Sequence, residues 1–353
     1  MAPTNHITVY RGRVVENRHA VHAAIVDSTG KLLYAVGDPS RITLPRSSTK
    51  PAQAVAVLET GAFDIFPFDD EDLALSCSSH SSEERHIARV NSMLAKVQAN
   101  EADLRCGGQS SISEQVNQSW LKRDFVPTAA CSNCSGKHVG MLAGAKALGT
   151  EISDYHLPTH PMQQRVMQVV EELSGAEKNK CEWAVDGCNL PTPAFPLRCF
   201  ARIYAGFAAA ADEDAADTAT NVSRTKAMAR IFHSMNQYPE LVGGKGRFCT
   251  LTMKNFQGAL VCKPGSQGCC GIGIRASEKT RQLGADGAMG ISVKIEDGNI
   301  DILYSAVVEI LKQLDIGTLD SEALSAFHHP KILSTTGAVI GHVSHMFQIR
   351  RCI

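Results

Sequence analysis

A chain of 353 residues with 44% hydrophobic and 20% charged residues has a globular balance with ample core, which excludes a disordered chain. Its 35 basic and 36 acidic residues leave a formal net charge of −1, which excludes the electrostatic footprint of a nucleic-acid or anionic-membrane binder. No apolar run approaches the ~20 residues of a membrane span, and the opening MAPTNHITVY lacks the layout of a secretory signal, so a cytoplasmic protein is expected. Along the chain, residues 7–35 read as strands and turns, with Asp27-Ser28-Thr29-Gly30 as a hairpin turn between two apolar runs. Behind Pro51, the residues Ala52, Val55, Ala56 and Leu58 recur at helical spacing. Ser47 reads as lying near the start of that helix, where serine is also a good N-cap, with Lys50 about one turn along on the same face.

The middle of the chain is more helical. Met162, Val166, Val169, Val170 and Leu173 form one apolar stripe behind Pro161, and Met228, Ile231, Phe232 and Met235 form another. Between them ADEDAADTATN, residues 211–221, reads as a solvated loop. GAMGISVKIEDGNIDI adds a strand closed by Asp297-Gly298, and Leu303, Val307, Ile310, Leu311 and Leu314 mark an amphipathic helix. GAVIGHVSHMFQI returns to strand character at the C-terminal end. Strands at both ends with helices between predict an α+β fold: a mostly antiparallel sheet joining the N- and C-terminal segments, flanked by helices, with a helical middle part. The expected organisation is a single domain over 1–353, with its sheet part about 1–60 and 245–353 and its helical part about 61–244.

Three small polar stretches carry chemistry. The first is Ser47-x-x-Lys50. The second is LSCSSHSSEERH, residues 75–86, where an apolar run ends abruptly in serines and His80. The third is VCKPGSQGCCGIGI, where Lys263 follows a β-like run. Taken singly they read as a capped helix, a cap and turn, and a strand-end turn. In this order they match S-x-x-K, a serine motif and K-x-G, the chain order of the serine β-lactamases and penicillin-binding proteins. A serine hydroxyl needs a base to become a nucleophile, and a lysine is a base only when neutral, which a dry site or cationic neighbours favour. A fourth stretch, CSNCSGKHVGM at 131–141, joins DGCNLPT at 186–192 in metal-ligand chemistry. Cys131 and Cys134 have C-x-x-C spacing, and Cys188 and His138 could complete a zinc shell. Most of the twelve cysteines read as packing thiols of a reducing compartment.

GDPSRITLPRSSTKPAQA, SCSSHSSEERH, CSNCSGKHVGM, DGCNLPTPAFPL and CKPGSQGCCGIGI together resemble the asparaginase II family of the Rhizobium etli type over essentially the whole chain. The resemblance implies a serine β-lactamase- and glutaminase-like fold, a homodimer, and hydrolysis of L-asparagine to L-aspartate and ammonia. It implies a nucleophile at Ser47 with Lys50, a second serine at Ser79 and a distant lysine at Lys263. It also implies zinc on Cys134, Lys137 and Cys188, with Arg46, His80, His138 and Asp186 lining the substrate site; one ion per chain is expected, organising the pocket, with a zinc-bound water as the rival nucleophile. Two departures stand out. Gly265-Ser266-Gln267-Gly268 replaces the family's glycine-alanine-glutamate-glycine, which bears on substrate affinity or preference, and Cys131 is an extra thiol near the metal ligands. Other readings are a glutaminase or β-lactam-directed serine hydrolase with the same nucleophile, and a non-enzymatic zinc or redox module. No nucleic-acid or membrane partner is expected.

Overall fold

The computed structural model describes residues 5–177, 180–216, 223–317 and 322–352. The described strands are β1 (His6–Arg11), β2 (Val14–Asp27), β3 (Leu32–Val36), β4 (Ile42–Thr43), β5 (Glu182–Val185), β6 (Pro191–Pro196), β7 (Leu260–Gly265), β8 (Cys269–Ile274), β9 (Met289–Ile295), β10 (Ile332–Leu333), β11 (Val339–His345) and β12 (Arg350–Arg351). The chain divides into two compact units. One holds residues 1–48, 195–209 and 251–353, and the other holds 49–194 and 210–250. Helices and a large antiparallel sheet together make the fold α+β, as the sequence predicts. Among the described residues no helix is long and apolar enough to cross a membrane.

The first unit is built on a sheet in the order β10-β11-β1-β2-β9-β8-β7, with β3 pairing both β2 and β12. Each of its pairings is antiparallel. The two ends of the chain meet here, with Ile7 opposite His345 and Val9 opposite Val343. The expected hairpin lies between β2 and β3. Asp27 Oδ1 accepts from the Thr29 and Lys31 amides, and Gly30 takes a left-handed φ of 88°. Strands β7, β8 and β9 are buried along their whole length. Glycines explain how a helix fits against them. A Cβ at Gly290 would lie 2.0 Å from the Ala201 carbonyl oxygen, and one at Gly271 would lie 2.1 Å from the Tyr204 ring. The helix Leu197–Ala215 therefore comes down onto the sheet through its first half. Alternate residues such as Ile272, Ile291 and Val293 point to the other face, and the helix Ile300–Gln313 packs against β8 and β9. That helix is the predicted amphipathic one, started by Asn299, whose side chain accepts from the Asp301 and Ile302 amides.

The second unit is mostly helical. The helix Ser135–Ala147 is buried nearly all round and carries glycine at every fourth place, Gly136, Gly140 and Gly144. Added Cβ atoms there would meet the Leu75 carbonyl at 2.5 Å, the Ser76 hydroxyl at 3.3 Å and the Met162 sulfur at 2.3 Å. The stripe lets the backbone of Asp70–Ser76 and the Met162 side chain of Pro161–Ser174 come close to it. Pro161–Ser174 matches the predicted stripe and has its own punctuation, with His160 as N-cap and Gly175 at φ 59° as C-cap. Met228, Ile231, Phe232 and Met235 are all buried on Ser223–Gln237.

One expectation is corrected. The acidic stretch 211–221 is not a loop at its start, because Leu197–Ala215 runs through it with Ala211 buried. Alanine-rich sequence extends the helix and its acidic residues occupy the solvated side. Residues 217–221 lie outside the described residues.

Candidate active site

Two residues of the predicted serine–lysine set lie in the first unit. Ser47 stands in a 3-10 turn, Arg46–Thr49, entered through Arg46 at φ 52°. The left-handed region is uncommon for a non-glycine residue and is a site of local strain. The helix Lys50–Leu58 follows directly, with Pro51 in its first turn as expected. Its N-cap is Thr49, with no side-chain cap bond, so Ser47 is not the cap that serine chemistry suggested. The reversal at Arg46 turns the chain before the helix starts and leaves Ser47 half-buried on the turn. The turn is anchored by Ser48, whose amide donates to the Pro45 carbonyl at 3.1 Å and whose carbonyl accepts from the Tyr204 hydroxyl at 2.7 Å. Strand β7 ends against this turn. A Cβ on Gly265 would lie 2.3 Å from the Pro45 oxygen and 2.9 Å from Ser48 Oγ. Lys263, two residues earlier, is on the same side of the strand and is buried. Its Nζ donates to the Pro264 carbonyl at 3.1 Å. Ser266 and Gln267 form the exposed tip of the β7–β8 hairpin, with Gln267 at φ 59°.

The second unit holds Lys50 and Ser79. Lys50 is 1% exposed, and its Nζ donates to Ser79 Oγ at 3.1 Å, to the Asn133 carbonyl at 3.3 Å and to the Ser78 carbonyl. Its Nζ thus faces three oxygens. The loop 77–83, between the helices Asp70–Ser76 and Glu84–Lys96, buries Ser78, Ser79, His80, Ser81 and Ser82 together. A polar loop survives burial only if its groups are bonded. The Ser79 amide donates to the Val242 carbonyl, Ser81 Oγ to the Gly243 carbonyl and Ser82 Oγ to the Cys131 carbonyl. His80 Nδ1 accepts from the Ser82 amide, so Nε2 carries the ring proton and donates to Ser135 Oγ at 2.9 Å. Burial, with His86 and Lys50 nearby, holds His80 well below the usual histidine range, so the ring is neutral.

The predicted metal ligands also gather in the second unit. Lys137 and His138 come from the first turn of the buried helix Ser135–Ala147, Cys134 from its N-cap, and Cys188 from the turn between β5 and β6. Lys137 Nζ donates to Cys188 Sγ at 3.1 Å. Cys134 and Cys188 share a hydrogen bond, which drives Cys188 far below the ordinary thiol range against the cost of its burial, with help from Lys137. Cys134 is raised by the same bond and by burial, so the proton stays there. Burial alone would lower Lys137, but Cys188, Cys134 and Asp186 raise it. The Tyr155 hydroxyl accepts from the Arg105 amide and so gives its own proton to His138 Nδ1 at 2.6 Å. This leaves the His138 ring proton on Nε2, and the ring helps to hold Cys188 below the ordinary thiol range. Asp186 opens the turn, accepting from the Gly187 amide, and Asn189 closes it at φ 69°. Cys131 behaves differently, with its sulfur 3.8 Å from Thr128 Oγ1. Cys131, Cys134, Cys188 and His138 do not bring three ligand atoms within 4.8 Å of one another, so the C-x-x-C shell read from spacing is not formed.

Sequence reasoning passed over several residues on which these side chains rest. Asn133, Ser135, Tyr155 and His86 hold Lys50, His80 and His138 in place, and His86 stacks on His80 with centroids 5.0 Å apart. Asn133 and Ser135 lie inside the CSNCSGKHVGM motif and were findable. Tyr155 stands in no motif.

Fold and site define an α+β protein with a buried lysine bonded to a serine and a separate thiol–amine cluster. The family model for L-asparaginase II matches residues 7–345, nearly the whole chain, and the chain belongs to that family. Membership points to an amidohydrolase acting on a small molecule, L-asparagine. No curated protein gives a significant match.

Proposed function

We propose that the protein hydrolyses the side-chain amide of L-asparagine through an acyl-enzyme on Ser47. One observation carries the reading: Lys50, three residues beyond Ser47, is buried and bonded to Ser79 Oγ. Lys50, acting as a neutral amine, takes the proton of Ser47 Oγ as that oxygen attacks the carboxamide carbon. The C–N bond then breaks, and the proton reaches the leaving nitrogen through Ser79, releasing ammonia. Water adds to the Ser47 ester and frees aspartate. Lys263 is assigned to assist the proton transfers, and Arg46, His80, His138 and Asp186 to hold the substrate's charged ends. The assembly proposed is the homodimer that the family resemblance implies.

The thiol–amine cluster suits zinc. Cys134 Sγ, Cys188 Sγ and Lys137 Nζ supply two soft donors and one nitrogen. These three residues would hold the ion, which would supply Lewis-acid orientation of the substrate ends. Cobalt substituted into the purified protein is expected to give a thiolate charge-transfer absorption that Cys188→Ser abolishes; its persistence in that variant overturns the assignment.

The function is tested by ammonia release on asparagine, glutamine and a β-lactam. Asparagine is expected to be the preferred substrate, and a clear preference for either other compound selects the rival hydrolase reading. Ser47→Ala should lower kcat by roughly three orders of magnitude or more while the protein stays folded. A folded Ser47→Ala enzyme retaining a tenth of the activity removes Ser47 as nucleophile.

A further inference from the structure

The first unit contains a second cluster of ligand atoms, remote in sequence from every residue assigned above. Glu309 comes from the helix Ile300–Gln313, His328 from the last turn of Glu322–His328, and His345 from the end of β11. One ligand atom from each lies within 4.8 Å of the other two, and no other group of three or more His, Cys, Asp or Glu does so among the described residues.

The hydrogen-bond pattern fixes the proton on one ring. Ser305 Oγ donates its single proton to the His328 carbonyl at 2.7 Å. It can therefore only accept from His345 Nε2, 2.8 Å away, so His345 carries its proton on Nε2. The bare lone pair of His345 Nδ1 then faces Glu309 Oε2 at 3.7 Å, acceptor against acceptor. Two lone pairs turned towards each other in a buried place call for a cation between them. The same Oε2 is 2.7 Å from His328 Nε2, so the second imidazole meets the carboxylate at the same point. The outer contacts are those of metal ligands: Ser305 fixes the His345 ring, and Gln313 Nε2 donates to the other oxygen of Glu309 at 2.8 Å. His328 and His345 stack with centroids 4.7 Å apart, and the exposed His329 ring stands 3.9 Å from His328 on the solvent side.

We propose that Glu309, His328 and His345 form a second metal site, taking a divalent transition ion of the zinc class through Glu309 Oε2, His328 Nε2 and His345 Nδ1. Two imidazole nitrogens and one carboxylate oxygen suit zinc or cobalt over calcium or magnesium, which prefer all-oxygen shells. Oxygen and nitrogen ligands of a tetrahedral zinc ion stand about 3.3 Å apart, which follows from bond lengths of ~2.0–2.1 Å. The 3.7 Å pair closes slightly and the 2.7 Å pair opens as the ion replaces the proton shared by His328 and Glu309. Three protein ligands leave a fourth position to water. The ion would pin two helices and β11 together at the sheet edge where the ends of the chain meet.

The test uses the full-length protein carrying Cys188→Ser, so that the thiol site is silent, stripped with chelator and titrated with cobalt and then zinc. Expected is one equivalent bound, with cobalt d–d absorption but no thiolate charge-transfer band, and a zinc-dependent rise in melting temperature. Glu309→Gln keeps the shape of the side chain, and it should abolish both the equivalent and the rise, as should His345→Gln. No metal uptake by folded Cys188→Ser protein, or equal uptake after Glu309→Gln, overturns the second site and leaves the thiol-site assignment untouched. Failure of the cobalt charge-transfer test in the wild-type protein would do the reverse.

Discussion

At the scale of single residues, Lys50 is the side chain on which most depends. It is a long, buried amine whose nitrogen faces Ser78, Ser79 and Asn133, so it joins two loops. Lys50→Arg keeps the charge, but a guanidinium cannot give up a proton and its planar fork does not match three acceptors around one nitrogen. The expected result is a fall in kcat to below about one hundredth, since a lost general base commonly costs 10²–10⁴. An arginine variant near wild-type activity would remove Lys50 from the proton path. The S-x-x-K spacing made this residue legible in the sequence. What spacing could not reveal was the left-handed Arg46 that sets the turn, because φ is decided by how β7 and Tyr204 confine the chain there.

At the scale of elements, glycine decides which faces meet. Gly271, Gly273 and Gly290 hollow the sheet for the helix beginning at Leu197, and all three places would put a Cβ within 2.4 Å of a helix atom. The obstacle at Gly290 is the Ala201 backbone, which has no flexible end to swing away. Gly290→Ala should therefore destabilise the protein by about 1–3 kcal/mol, the usual cost of overpacking, with the loss read as a lower urea midpoint at unchanged slope. A midpoint within error of wild type would show that the helix is free to lift. Apolar periodicity located the helices at 161–174, 223–237 and 300–313 because their buried faces are continuous. It misread 211–215 because composition there is acidic while the geometry is still that of the preceding helix. The sheet's order was not legible, since pairing of β1 with β11 rests on contacts more than three hundred residues apart.

At the scale of the whole molecule, buried neutral histidines couple stability to pH. Burial holds His80 and His86 below their ordinary value, and each is fixed as a neutral tautomer by an amide donating to Nδ1. Above the unfolded value of ~6.5 both states are neutral and the rings contribute nothing. As pH falls below it, the unfolded chain takes up protons that the folded protein refuses, so stability drops by up to about 1.4 kcal/mol per pH unit for each ring. Urea midpoints should fall between pH 7.5 and 5.5, less steeply in His86→Gln. A flat profile contradicts the assignment of neutral rings. The meeting of the two chain ends in one sheet has a consequence for biosynthesis. Strand β1 leaves the ribosome before the other described strands but lacks its β11 neighbour until residue 345 has followed, a wait on the order of tens of seconds at translation rates of roughly 5–20 residues per second. The helical unit spans 49–194 and 210–250, so its whole sequence emerges inside that interval. The nascent protein thus has a built-in order of assembly, in which the helices can pack while the first strands are still waiting for the last.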